Sequence, residues 1–213
     1  MEILSQLADA VIKGKANDVQ SLTNSALAAG IAPATLINDG LIAGMQVIAD
    51  RFKKNEIYVP EVLIAARAMT AGLNILKPLI SDTDMKPVAK IVIGTVKGDL
   101  HDIGKKLVAM MLEGAGLTVI DLGIDVAPEK FVNAVVEHQP DLVGMSALLT
   151  TTMPAMSQTI QLLQESGLRD KVKVIIGGAP ITDAYAKQIG ADGYAPDAGS
   201  AVDVCKALVQ TTA

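Results

Sequence analysis

The sequence predicts a two-part α/β protein, with a helical bundle followed by a doubly wound domain built on a parallel sheet. Three observations support this prediction. Apolar residues up to about residue 80 recur at the spacing of amphipathic helices. Those beyond residue 90 form short β-branched runs that alternate with helical stretches. A polar, proline-bearing segment, "SDTDMKPVAK", separates the two patterns.

Four helices are predicted in the N-terminal part. The first carries Ile3 on its apolar stripe, and the second would be capped by Asn17 and stopped by Gly30. The third and fourth are predicted at 33–52 and 60–80, each with a proline at its start. Helices joined by such short connections form a small bundle.

Five short apolar runs in the C-terminal part predict buried parallel strands: "KIVIGTV", "LTVIDLG", "DLVGMSALL", "VKVIIGG" and the weaker "GYA". The intervening helices are predicted at 102–114, 128–138, 153–166, 181–189 and 199–210. This alternation gives a flavodoxin- or Rossmann-like sheet. The predicted organisation is a helical domain at 1–81, a linker at 82–90 and an α/β domain at 91–213.

The helix at 102–114 is predicted to be amphipathic. Ile103, Leu107 and Met111 would face the core, together with Met110. Lys105, Lys106 and Glu113 would face water.

Composition excludes several classes of function. A formal net charge of −5 disfavours nucleic-acid binding, which requires a basic surface. Neither a membrane span nor a secretory signal is evident in the sequence. The single cysteine, Cys205, fits a reducing compartment, so a cytoplasmic location is expected.

The unusual polar residues follow the predicted strands, where a doubly wound sheet binds its ligands. The loop "GDLHDIG" after the first strand holds His101, one of two histidines in the chain, with Asp99 two residues before it. The histidine could simply cap the next helix beside a solvated aspartate. Its place at the carboxyl edge of the sheet, between glycines, favours a functional role instead.

Common site chemistries do not match this loop. It has no G-x-G-x-x-G or Walker spacing, no G-x-S-x-G nucleophile motif and too few histidines and cysteines for a zinc site. A single histidine ligand suits a metal whose other positions are filled by a macrocycle. Asp99 could accept the second ring N–H and so orient the imidazole.

The motif from Asp99 to Gly104 resembles the D-x-H-x-x-G signature of cobalamin-binding domains. The segment "SALLT" from Ser146 and the pair Gly177–Gly178 resemble two further motifs of that family, in the right order. This likeness spans 88–213. Residues 44–69 resemble the helical cap of methionine synthase and of corrinoid methyltransferase proteins.

The resemblance implies roles for individual residues. His101 would bind cobalt from below, and Asp99 and Thr152 would extend a hydrogen-bond chain from it. The family's contacts with the cofactor and its nucleotide tail fall on Gly104, Ser146, Leu148, Thr150, Gly177 and Gly178. Phe52 and Val59 match cap positions that cover the upper face of the corrin.

The implied function is that of a methyl carrier. The cob(I)alamin form would accept a methyl group from a substrate-specific methyltransferase, and the methylcobalamin would pass it to a second methyltransferase acting on tetrahydrofolate or coenzyme M. A reductive activase is a further expected partner. The chain would thus be a carrier subunit and not a catalyst by itself, and neither nucleic acid nor membrane is expected as a partner.

Three alternatives share some of these features. The small subunit of an adenosylcobalamin mutase shares D-x-H-x-x-G but lacks the helical cap. A B12-dependent sensor or regulator has a helical bundle but would need a DNA-binding module, which is not evident. A protein that has kept the fold and lost the cofactor would not need Asp99, His101 and Ser146 together.

Overall fold

The computed structural model describes residues 2–79 and 88–210. Contacts divide the chain into two compact units, Met1–Pro87 with Glu113–Gly116 and Val88–Leu112 with Leu117–Ala213. The predicted fold class is confirmed, since a helical N-terminal region precedes a five-stranded parallel sheet. Most of the predicted linker, 82–90, lies outside the described residues.

The helical unit follows the predicted order with two local differences. Its helices are α1 (Glu2–Ile12), α2 (Ala16–Ala28), α3 (Pro33–Thr35), α4 (Ala43–Lys53) and α5 (Val59–Leu76). A π-helical segment, Leu36–Ile42, joins α3 to α4 without a break, so the predicted third helix is continuous. The prediction of Asn17 as a cap is wrong. The helix α2 begins at Ala16 with Lys15 in the N-cap position, so Asn17 lies inside the first turn.

One stretch of this unit, Val59–Leu79, is long and apolar enough to span a bilayer by length and composition alone. The core helix of a folded domain passes the same test. Within α5, Val62, Ala65 and Met69 are among the residues buried in the bundle.

The second unit is a parallel sheet in the order β2-β1-β3-β4-β5. The strands are β1 (Lys90–Thr95), β2 (Thr118–Asp121), β3 (Leu142–Ser146), β4 (Lys173–Gly177) and β5 (Gly193–Ala195). The helices are α6 (Ile103–Gly114), α7 (Pro128–His138), α8 (Pro154–Glu165), α9 (Asp183–Ile189) and α10 (Ala198–Gln210). Every strand coincides with a predicted apolar run.

Strand register brings the predicted site segments to one edge. Thr95 pairs with Ser146, Ser146 with Gly177, and Gly177 with Ala195, so four neighbouring strands end in one row. Below this row lies a core that includes Phe131, which is fully buried. The loops that leave the row can therefore converge on one site, as the doubly wound topology requires.

Candidate functional site

The centre of the site is the loop between β1 and α6, where His101 and Asp99 are paired. Nδ1 of His101 lies 2.7 Å from Oδ1 of Asp99, and the His101 backbone N–H donates to the same oxygen at 3.0 Å. The Asp99 side chain is fully buried, whereas 51% of the His101 side chain is exposed. The carboxylate therefore holds one ring nitrogen, Nδ1, of an imidazole that is half-exposed.

The other oxygen of Asp99 is held by the loop after β3. Oδ2 accepts the backbone N–H of Leu148 at 2.7 Å, that of Leu149 at 3.2 Å and the hydroxyl of Thr152 at 2.9 Å. Burial alone raises the pKa of Asp99, but the hydrogen bonds from Leu148, His101 and Thr152 outweigh it, so its pKa lies well below the usual range. Because an ionised carboxylate can only accept, Nδ1 of His101 carries the proton in their shared bond.

Thr152 is buried and has two acceptors for one hydroxyl hydrogen. Its Oγ1 lies 2.9 Å from Asp99 Oδ2 and 2.8 Å from the carbonyl oxygen of Leu149. A hydroxyl donates only one hydrogen, and the charged oxygen is the stronger acceptor. The structure thus brings together the three residues of the predicted chain, Asp99, His101 and Thr152.

Exposed apolar side chains surround the His101 loop. Leu100 and Ile103 lie on either side of His101 in the sequence, while Leu148 and Leu149 adjoin the loop through the hydrogen bonds of their backbone N–H groups to Asp99. Ile103 is 78% exposed, so its predicted core position is wrong. Exposed apolar patches of this kind mark binding surfaces.

The prediction that Lys105 faces water is also wrong. Its side chain is almost wholly buried and forms an ion pair with Asp121 at the end of β2. Asp121 also accepts the backbone N–H of Gly123. The long aliphatic stem of a lysine can be buried when its ammonium group finds such a partner.

The predicted glycines have different surroundings. A Cβ atom built on Gly104 meets nothing within 4 Å, which fits a surface left clear for a ligand. A Cβ on Gly178 would lie 1.8 Å from the carbonyl oxygen of Ala147, and its φ is +130°. Gly178 is therefore required by close packing of the protein backbone, and not only by space for a ligand as expected. At Gly177 a Cβ would approach the carbonyl oxygen of Ala195 to 3.0 Å.

The remaining predicted residues lie where their segments place them. Ser146 ends β3 and is half-buried, and Thr150 is exposed in the following loop. In the helical unit, Phe52 lies near the end of α4 and Val59 begins α5, both half-buried. Their predicted cofactor contacts stay predictions.

Two residues that hold the loop were missed at the sequence level. Thr95, fully buried at the end of β1, donates its hydroxyl to the carbonyl of His101 at 3.0 Å. A threonine that ends an apolar strand immediately before a polar loop was the available signal. Asp125, in the loop after β2, bonds to Gly98 and to Asp99 of the His101 loop. Nothing in its segment "GIDVAP" indicates these contacts.

The side chains of the site could supply one ligand, His101, to a metal whose other ligands belong to a cofactor. Among residues 2–79 and 88–210, no group of three or more His, Cys, Asp or Glu side chains could hold a metal ion. Burial raises the pKa of the Cys205 thiol to about 12, so it remains a neutral core residue. One half-exposed imidazole with exposed apolar neighbours could serve as the single protein ligand of a metal held by a macrocycle.

Comparisons with known proteins agree with this arrangement. A family described as "B12 binding domain" matches residues 89–203, and a second family of the same description matches residues 3–77. The chain is 44% identical to dimethylamine corrinoid protein 2 of Methanosarcina acetivorans over 209 residues, covering 98% of this chain and 96% of that protein. It is 42% identical to trimethylamine corrinoid protein 2 of the same organism over 212 residues, covering 99% and 98%.

Solved structures of cobalamin-dependent proteins also resemble this chain. The methanol:cobalamin methyltransferase complex of Methanosarcina barkeri matches with a TM-score of 0.89 and 32% identity, over 98% of this chain and 80% of that one. A cobalamin-binding protein of Desulfitobacterium hafniense matches with a TM-score of 0.79 and 33% identity, over 96% and 98%. Both likenesses include the helical and the α/β units.

Proposed function

Because this chain belongs to the family of B12-binding corrinoid proteins, we propose that His101 is the lower ligand of its cobalt. The protein binds cobalamin and carries a methyl group within a methyltransferase system. When bound, the cobalamin supplies a cobalt centre that takes up the methyl group and gives it away again. The observation that carries the assignment is the half-exposed imidazole, held at Nδ1 by a buried carboxylate and surrounded by exposed apolar residues.

The chain's own residues orient the ligand before any cofactor binds. Asp99 fixes the tautomer of His101, since its carboxylate accepts the Nδ1 hydrogen and leaves Nε2 as the electron-pair donor. The leucine N–H groups and Thr152 keep that carboxylate ionised and in place. An ionised, fully hydrogen-bonded Asp99 favours a strongly donating imidazole.

Asp99 also determines where a proton can be held. When Nε2 is free it can take up a proton, and the resulting imidazolium would lie against the ionised Asp99 carboxylate. Asp99 itself is a poor proton acceptor because its pKa lies well below the usual range. Uptake and release of a proton would then occur at His101 Nε2, with Thr152 donating to Asp99 throughout.

The remaining predicted residues extend this proposal. The backbone at Gly104 and Gly177–Gly178, with Ser146, Leu148 and Thr150, would contact the cofactor and its nucleotide tail. Phe52 and Val59 would cover the opposite face of the corrin. The unit limits we propose are a helical domain at 1–81, a linker at 82–90 and a cobalamin domain at 91–213.

The proposed methyl donor is a methylated amine, presented by a substrate-specific methyltransferase. Support comes from relatives named as dimethylamine and trimethylamine corrinoid proteins, which match this chain over almost its whole length. A second methyltransferase acting on coenzyme M or tetrahydrofolate would receive the methyl group, and a reductive activase would restore the reduced cofactor. Carriers of this kind work beside their partner enzymes, so we place the protein in the cytoplasm. We propose neither a membrane nor a nucleic acid as a partner.

A two-stage experiment tests the function. First, the full chain is loaded with hydroxocobalamin, and gel filtration is used to measure whether cobalamin stays with the protein; an empty protein would contradict the cofactor assignment. Second, the reduced holoprotein is offered to methyltransferases specific for methanol, mono-, di- and trimethylamine, and methylation is followed by absorption spectroscopy. Methylation by the methanol enzyme alone would contradict the proposed donor class.

A further inference from the structure

Asp125, in the loop after β2, bonds twice to the loop that carries His101. We propose that Asp125 is a positioning residue for the cobalt ligand, acting through Gly98 and Asp99. The inference rests on the proposed role of His101 as that ligand. It concerns how the imidazole is kept in place, which neither the motif nor the family likeness specifies.

The two bonds are reciprocal. The backbone N–H of Gly98 donates to Oδ1 of Asp125 at 2.7 Å, and the backbone N–H of Asp125 donates to the carbonyl of Asp99 at 3.1 Å. Together they close a hydrogen-bonded ring around the Gly98–Asp99 peptide. Such a ring fixes both the position and the orientation of that peptide.

The bonded peptide is directly connected to the ligand pair. Asp99 supplies the carboxylate that holds both the backbone N–H and Nδ1 of His101. A shift of the Asp99 backbone would therefore move the carboxylate and the imidazole together. The hydrogen bonds of Asp125 described above go to Gly98 and Asp99 and not to the imidazole of His101, so its effect on the ligand is indirect.

Asp125 adopts an unusual backbone conformation to make these bonds. Its φ is +52°, in the left-handed region that most L-residues avoid and that Asp and Asn tolerate better. Gly98, its partner, also has a positive φ, at +83°. Unfavourable conformations persist where surrounding contacts require them, and they cluster at functional sites.

The neighbouring backbone aligns the two loops. Val96 and Val126 form an isolated parallel bridge, and the backbone N–H of Val126 donates to the carbonyl of Thr95 at 2.9 Å. These bonds extend the β1–β2 pairing past the ends of the strands. Within this extension the side chain of Asp125 bonds to the loop at Gly98, and the side chain of Thr95, at the end of β1, bonds to it at the carbonyl of His101.

Three variants separate the acceptor from the backbone conformation. Asp125→Asn keeps a side-chain oxygen and tolerates a positive φ, so it should behave like the wild type. Asp125→Gly keeps the conformation and loses the acceptor. Asp125→Ala loses the acceptor and also disfavours the conformation.

The test is electron paramagnetic resonance of the full chain, loaded with cobalamin and reduced to the Co(II) state. Each protein is prepared with natural and with ¹⁵N-labelled histidine, because label-dependent nitrogen splitting counts the molecules ligated by a histidine. We expect Asp125→Asn to match the wild type, and Asp125→Gly to lower the ratio of ligated to unligated molecules by about tenfold. Asp125→Ala should lower it at least as far.

Other results of the same experiment would contradict the positioning role of Asp125 or the ligand role of His101. If Asp125→Gly keeps the full histidine splitting and only melts at a lower temperature, Asp125 serves the turn and the inference fails. It also fails if Asp125→Asn loses splitting as fully as Asp125→Gly, because charge and not the hydrogen bond would then matter. Absence of label-dependent splitting in the wild type would overturn the ligand role of His101 itself. If Asp125→Ala does not fold, the Asn and Gly variants still decide the question.

Discussion

Oδ1 of Asp99 accepts two hydrogen bonds from His101, one from Nδ1 at 2.7 Å and one from the backbone N–H at 3.0 Å. The same residue thus fixes both the ring and the backbone of the proposed ligand. Asp99 is in turn held by a loop about fifty residues further along the chain. The ligand geometry therefore depends on the folded sheet, and not on the local motif alone.

Replacing His101 with alanine should abolish histidine ligation while leaving the fold intact, because the imidazole is half-exposed. His138→Ala is the matched control, since this second histidine ends α7 and lies outside the site. The absorption spectrum of the cobalamin-loaded proteins distinguishes them. His101→Ala should give the spectrum of cobalamin without a protein ligand, and His138→Ala that of the wild type. An unchanged spectrum for His101→Ala would assign the ligand to another group.

Asp99→Asn should destabilise the protein even without cofactor. An asparagine offers one oxygen where the aspartate offers two, so backbone or hydroxyl donors on one side would face an NH₂ group. Leaving buried donors unsatisfied costs about 1–3 kcal/mol, measurable as a lower free energy of unfolding in urea. Asp102→Asn is the control, because Asp102 pairs with Lys106 at the surface and should change stability little.

The stability contributed by Asp99 should depend on pH in the acid range only. Because the folded-state pKa lies below the ordinary value of 3.8, this stability is present above that value and is lost as the pH falls through the folded-state pKa. The difference in unfolding free energy between the wild type and Asp99→Asn should be constant above about pH 5 and shrink below about pH 4. A difference that shrinks between pH 8 and 6 would contradict an ionised, low-pKa Asp99.

The sequence predicts best what depends on neighbours in the chain. The pairing of His101 with Asp99 spans two residues, and strand positions follow from short apolar runs, so both were accessible. Burial of Lys105 was not, because it lies on α6 and its partner Asp121 lies at the end of β2, sixteen residues further along the chain. Helical periodicity assigned Ile103 to the core, yet its side chain is exposed at the start of α6, directly after the His101 loop.

Lys105 offers a test of that corrected assignment. Removing its ammonium group in Lys105→Ala would leave Asp121 without its ion-pair partner and empty a buried volume. We expect the free energy of unfolding to fall by roughly 1–3 kcal/mol. Lys106→Ala, the neighbouring exposed lysine, should have a much smaller effect because surface ion pairs contribute little. Equal effects of the two substitutions would contradict burial of Lys105.

Gly104 and Gly178 should respond differently to alanine. At Gly178 the new methyl group would collide with the Ala147 carbonyl at a backbone φ of +130°, so the unloaded protein should lose stability. At Gly104 the methyl group meets no protein atom, and alanine is favoured in a helix by up to about 1 kcal/mol. Urea unfolding of Gly104→Ala should therefore show unchanged or higher stability.

Gly104→Ala should weaken binding of the cofactor even though it does not destabilise the fold. If the open space beside it receives the cofactor, the added methyl group would occupy part of the binding surface. Equilibrium dialysis with hydroxocobalamin should then show weaker binding for Gly104→Ala than for the wild type, despite its stable fold. Wild-type affinity would mean that the cofactor does not approach Gly104, and that the glycine serves only the start of α6.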